Sequence, residues 1–166
     1  MEDRSLFQLG MDLNPGATQT EDTTNDNAPA TAGRDESIAN AHFVCRDGAV
    51  FAGTHLIIEM TGAEGLDDEA RIRDAFIRAI DAAGATLLHI HLHRFSPQGV
   101  SGVAVLAESH ISVHTWPEHG YGAFDVFMCG EADPWKAAEV LKEAFAAEQA
   151  EVRELRRGEG VFDERR

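Results

Sequence analysis

From Ala85 to Gly130 the chain reads as successive strands separated only by turns, and this restricts its fold more than any other feature. "ATLLHIHLHRF" is strand-like and ends at the turn Pro97-Gln98-Gly99. "VSGVAVLAESHISVHTW" follows, as two strands or one long bent one, and "GYGAFDVFMCG" alternates Phe124, Val126 and Met128. Parallel neighbours need a crossover of about a dozen residues, so links this short favour antiparallel pairing. Upstream, "AVFAGTHLIIEM" has β-character from Val50 to Met60, with Gly53 marking a bulge or a close approach. "LDDEARIRDAFIRAIDAAG" repeats Ile72, Ala75, Phe76, Ala79, Ile80 and Ala83 at helical spacing. Asp67, Asp68 and Glu69 suit its start and Gly84 its end. Asp133-Pro134 opens a second helix, expected to run to about Gln149, and "AEVRELRR" reads as a final edge strand. The expected fold class is α+β: a two-layer α/β sandwich whose antiparallel sheet carries two helices on one face.

Composition narrows the partners. Residues 1–40 include "NPGATQTEDTTNDNAPATAGRDES", which lacks hydrophobic periodicity and reads as a disordered acidic tail; a docking segment built on Leu6, Phe7, Leu9, Met11 and Leu13 is the weaker alternative. Residues 41–166 are then the folded domain. A net charge of −15 without basic blocks argues against nucleic acid and anionic membrane and suits a cationic ligand. "MEDRSLFQLG" has no apolar signal region, and no stretch is long enough to span a membrane. Cys45 and Cys129 are the two cysteines, read as free thiols in a cytoplasmic, reducing setting.

One strand is oddly polar. "LAESHISVHTWPEHG" places Glu108, Ser109 and His110 where packing alone would ask for apolar residues. His89, His91 and His93 share one face of their strand, and His110 and His114 likewise share a face of theirs. Imidazoles converging from a sheet can hold zinc, but spacing alone is weak and no HExxH is present, so no metal is expected. Ser109 lacks the GxSxG setting of a hydrolase nucleophile. Cys129 can be a thiol beside a cavity or an inert buried one, and Phe95 and Trp116 can stack on a planar ligand or pack in a core.

Taken together, the block from His93 to Ala137 resembles the core of the prokaryotic S-adenosylmethionine decarboxylases. Glu-Ser-His, His-Thr-Trp-Pro-Glu and Cys-Gly follow in matching order and spacing, and a looser likeness extends over residues 53–157. The resemblance implies self-cleavage between Glu108 and Ser109, which leaves a covalent pyruvoyl cofactor derived from Ser109. That group would form a Schiff base with the substrate amine and accept the electrons released with CO₂. It further implies that Ser101 assists processing near the reacting carbonyl and His114 removes the α-proton. Cys129 would return a proton to the product, Phe95 would stack on adenine, and Glu118 would bind the ribose hydroxyls. A homodimer of cleaved protomers is the expected assembly, serving spermidine synthesis. His119 and Gly122 depart from the family's usual Tyr and Ala, and His89 and His91 are not family features. A pyruvoyl decarboxylase of arginine or ornithine is therefore the alternative enzyme. A non-catalytic regulatory partner is a third reading, opposed by the retention of Ser109, His114 and Cys129.

Overall fold

The strand segments pair as their short links require. The structure, a computed structural model, describes residues 42–161; the acidic segment 1–40 lies outside the described residues. In chain order the elements are β1 (Val44–Arg46), β2 (Ala49–Phe51), β3 (Gly53–Thr61), α1 (Glu69–Ala83), β4 (Leu87–Arg94), β5 (Val100–Leu106), β6 (Ser109–Trp116), β7 (Tyr121–Met128), α2 (Pro134–Ala144) and β8 (Gln149–Arg157). A 3₁₀ turn, Pro117–His119, joins β6 to β7. β1 and β2 form a separate hairpin. The other strands make one sheet in the order β4-β5-β6-β7-β3-β8, with every neighbouring pair antiparallel.

The helices start and stop where local chemistry dictates. Asp68 caps α1 by accepting from the Arg71 N–H, and Gly84 ends it with φ 70°. Asp133 caps α2 by accepting from Trp135 N–H, with Pro134 in the first turn. Ile72, Phe76 and Ile80 of α1, with Leu141 and Ala137 of α2, pack on Leu56, Ile58, Met60, Ile111, Val113, Phe124, Val126 and Met128 of the sheet. All these strand residues point to one face. The alternate set, including His55, Ile57, Ser101, Val103, His110, His114, Asp125 and Phe127, lies on the opposite face, which has no helix over it among the described residues.

Two boundaries differ from expectation. The single strand expected from Val50 to Met60 is divided at Ala52, and its first part joins the hairpin through Asp47-Gly48, both at positive φ (55° and 77°). That Asp-Gly pair is a strong hairpin signal. Gly53 is a close approach: a Cβ there would lie 2.6 Å from the Met128 carbonyl oxygen. The second helix ends at Ala144 rather than near Gln149. Phe145 packs on Phe124 with ring centroids 5.3 Å apart, and Ala146 takes φ 45°, which turns the chain into β8.

Candidate active site

The Glu108–Ser109 bond lies where the β5–β6 hairpin turns back into the sheet. Ala107 and Glu108 are the turn, and Ser109 is the first residue of β6, opposite Leu106 and Met128. Both ends of Glu108 are held. Its carboxylate accepts from the Thr86 N–H (2.8 Å), and its carbonyl accepts from the Cys129 N–H (2.9 Å). A carbonyl so held is polarised, and the same donor would stabilise an oxyanion formed on it. Ser109 has φ 138°, a backbone angle that side-chain-bearing residues rarely adopt and that costs about 1–3 kcal/mol. Its Oγ lies 3.1 Å from His110 Nδ1. The Cys129 thiol is raised above its ordinary pKa, first by burial and further by the Glu108 charge. It therefore keeps its proton at neutral pH and suits an acid better than a nucleophile.

Ser101 and His114 meet across β5 and β6, with Oγ and Nε2 3.3 Å apart. Trp116 lies over His114 (centroids 6.3 Å) and against Tyr121 (5.2 Å). Phe95 is exposed, its ring edge-on to His93 at 4.8 Å, and its N–H donates to Gly99 O (2.8 Å). Asp67 ties this turn down. It accepts from Gly99 N–H (2.8 Å) and pairs with Arg94, and these two partners, Arg94 first, lower its carboxyl pKa. Glu118, in the 3₁₀ turn, accepts from Gln98 Nε2 (2.9 Å).

Two groups result. Glu108, Ser109 and Cys129 gather at one end of β6. Phe95, Ser101, His114 and Glu118 gather at the other. Five residue-to-residue steps of extended strand, about 17 Å, separate Ser109 from His114, so within one chain the pair Ser101–His114 does not reach the Glu108–Ser109 bond. His89, His91 and His93 are exposed along the edge strand β4, with Ile90 and Leu92 turned inward as alternation requires.

The sequence reading missed the polar group beside Ser109. His55 and Asp125 approach at 3.3 Å, Ser112 donates to Asp125 (3.0 Å), and Arg157 Nη1 donates to His55 Nδ1 (3.0 Å). Alternation put His110 on the face shared with His114, but His55, Asp125 and Arg157 come from β3, β7 and β8. Only the sheet order brings them there.

Comparison with known proteins gives the chain a family. The profile of a family described as S-adenosylmethionine decarboxylase matches residues 54–158. A Methanococcus maripaludis protein (strain DSM 14266) named S-adenosylmethionine decarboxylase proenzyme is 49% identical over 109 residues, 64% of this chain and 89% of its own length. A Carboxydothermus hydrogenoformans protein of the same name is 45% identical over 109 residues, 64% of this chain and 86% of its own. The crystal structure of the adenosylmethionine decarboxylase from Aquifex aeolicus VF5 superposes with a TM-score of 0.59 at 33% identity, covering 64% of this chain and 90% of that one. The matched segment contains every candidate residue from Phe95 to Cys129 and nearly all of the six-stranded sheet, and this chain belongs to the S-adenosylmethionine decarboxylase family.

Proposed function

We propose that this chain is a self-processing S-adenosylmethionine decarboxylase, cut between Glu108 and Ser109 to give a pyruvoyl group at the new terminus. The observation that carries the reading is the Glu108 carbonyl, held by the Cys129 N–H beside a serine in a strained backbone conformation. Attack of Ser109 Oγ on that carbonyl carbon replaces the amide by an ester, while the Cys129 N–H bears the developing negative charge. Removal of the Ser109 α-proton then breaks the Cβ–Oγ bond and expels the main-chain carboxylate of Glu108 as the new C-terminus, and water converts the dehydroalanine left behind into the pyruvoyl group with release of ammonia. That group supplies an electron sink for the carbanion formed as CO₂ leaves. The protonated Cys129 thiol stands ready to return a proton to the substrate carbon. Phe95 offers an exposed aromatic face to the adenine, and Glu118 offers a carboxylate to the ribose hydroxyls. A sulfonium cation suits both an aromatic wall and a chain of net charge −15.

His114 is assigned to the α-proton, yet a base works only within hydrogen-bond reach. The strand length between it and Ser109 supports an assembly in which a second copy, packed on the helix-free sheet face, brings Ser101 and His114 to the bond. That face carries Ile57, Val103, Val105 and Phe127 among its polar residues, which suits burial between copies. A homodimer of cleaved chains, in the cytoplasm, completes the reading. No helix among the described residues is long and apolar enough to cross a membrane.

Intact-mass analysis tests it directly. Purified protein is expected as two chains, 1–108 and 109–166, which by length are roughly 12 and 6 kDa of the 18.1 kDa total. The smaller chain has no terminal amine and resists Edman degradation. Ser109→Ala leaves one intact chain, and His114→Ala stops at an ester that hydroxylamine splits. CO₂ release is expected from S-adenosylmethionine and not from arginine or ornithine. Active protein with only the full-length mass would overturn the reading.

A further inference from the structure

His110 has no part in the roles assigned so far, yet it holds the nucleophile. Its Nδ1 lies 3.1 Å from Ser109 Oγ, in a half-buried position. His110 sits in a cross-strand row with Val105 of β5, Phe127 of β7 and His55 of β3. Its ring meets Phe127 at 5.9 Å and His55 at 6.4 Å between centroids.

The charged groups facing it come from three strands. Arg157 of β8 lies over Phe127 (5.6 Å) and donates to His55 Nδ1 (3.0 Å). A guanidinium only donates, so His55 Nδ1 is unprotonated and its proton is on Nε2, facing Asp125 Oδ1 at 3.3 Å. The other Asp125 oxygen accepts from Ser112 Oγ (3.0 Å). Burial first, with the Arg157 charge, outweighs the Asp125 carboxylate and holds His110 below the ordinary histidine pKa. The imidazole is neutral at neutral pH, and with its proton on Nε2 the Ser109 hydroxyl donates to Nδ1.

We propose that His110 is the base for the first step of self-cleavage, acting within its own chain. Nδ1 takes the hydroxyl proton as Ser109 Oγ bonds to the Glu108 carbonyl carbon. It returns that proton to the Ser109 nitrogen as the carbon–nitrogen bond breaks, so the ester forms with no net gain or loss of protons. His114 then acts on a different proton, the one on Cα, in the later step. The inference rests on the self-processing reading above.

The test follows processing of freshly synthesised full-length chain by mass, in wild type, His110→Ala and His110→Asn. General-base assistance contributes on the order of 100-fold, and a slowing of that size is expected in both variants, with intact chain accumulating and no hydroxylamine-sensitive ester. Asn restores a hydrogen-bond acceptor near the Nδ1 position without a base, so it separates basicity from positioning; circular dichroism and melting of the Asn variant report its folding. Added imidazole is expected to speed cleavage of His110→Ala. The wild-type rate is expected to fall in acid, as His110 takes a proton below the ordinary histidine range, and His110→Asn is expected to lose that limb. Cleavage of both variants at the wild-type rate overturns the proposal, as does accumulation of ester. So does a slow Asn variant that keeps the wild-type pH profile. Wild-type chain that never cleaves would instead overturn the self-processing reading itself.

Discussion

Cys129 enters the site twice, through its backbone and through its thiol. The N–H that holds the Glu108 carbonyl is present whatever the side chain, short of proline, whereas the proton offered to product belongs to sulfur alone. Cys129→Ala is therefore expected to cleave normally and to lose about 100-fold or more in correctly protonated product, checked by mass analysis beside CO₂ release and product identification. The pH dependence has a definite sign. Burial and Glu108 raise the thiol pKa, so the acid form persists through neutrality, and turnover is expected to decline only as pH climbs beyond the ordinary thiol range. Turnover of the Ala variant at the wild-type rate would assign the proton to another group.

The two ends of β6 are secured by different means. At the Ser109 end the turn residue Glu108 makes both ties, its carbonyl to the N–H of the residue after β7 and its carboxylate to the Thr86 N–H. At the other end the tie is a buried side chain, Thr115, whose Oγ1 accepts from Val100 N–H (2.8 Å) and donates to Leu66 O (2.8 Å). Thr115→Val leaves a buried donor and a buried acceptor without that partner, each costing about 1–3 kcal/mol. At about 2–4 °C per kcal/mol for a chain of this size, a clear fall in Tm is expected in a thermal melt. The loop from Leu66 to Asp67 also anchors the Gly99 turn behind Phe95. The same variant is therefore expected to raise KM more than it slows self-cleavage, because Ser109 lies about 17 Å away along the strand.

At the level of the whole molecule, the separation of the two residue groups has a consequence that activity in a single variant does not reveal. If His114 acts on the bond of a second copy, Ser109→Ala and His114→Ala are complementary defects. Each alone is expected to leave its own chain without a pyruvoyl group. In a mixed dimer the Ser109→Ala chain still supplies an intact His114, so the Ser109 of the His114→Ala chain completes processing. Co-expression with two affinity tags, followed by mass analysis of each tagged chain, is expected to show cleavage confined to the His114→Ala chain. No cleavage in either chain of the mixed dimer would place the base within one chain.

Most of the elements were legible in the sequence because the forces that make them are local or periodic, although the β1–β2 hairpin was not among those read. A period of two over Phe124, Val126 and Met128 marked β7, and helical spacing from Ile72 to Ala83 marked α1, with Asp68 and Gly84 supplying the caps. Links too short for a crossover implied antiparallel pairing, and the contiguous Glu-Ser-His, His-Thr-Trp-Pro-Glu and Cys-Gly segments identified the candidate residues. The end of α2 was not legible. Ala146 and Ala147 are good helix formers, and what stops the helix is the packing of Phe145 on Phe124 of another strand. The arrangement of the site was not legible either. The Cys129 N–H on the Glu108 carbonyl and the His55, Asp125 and Arg157 side chains around His110 join residues far apart in sequence. Their meeting depends on β7 lying beside β6 and on β3 entering between β7 and β8, an order set by how the whole sheet buries its apolar face under the helices.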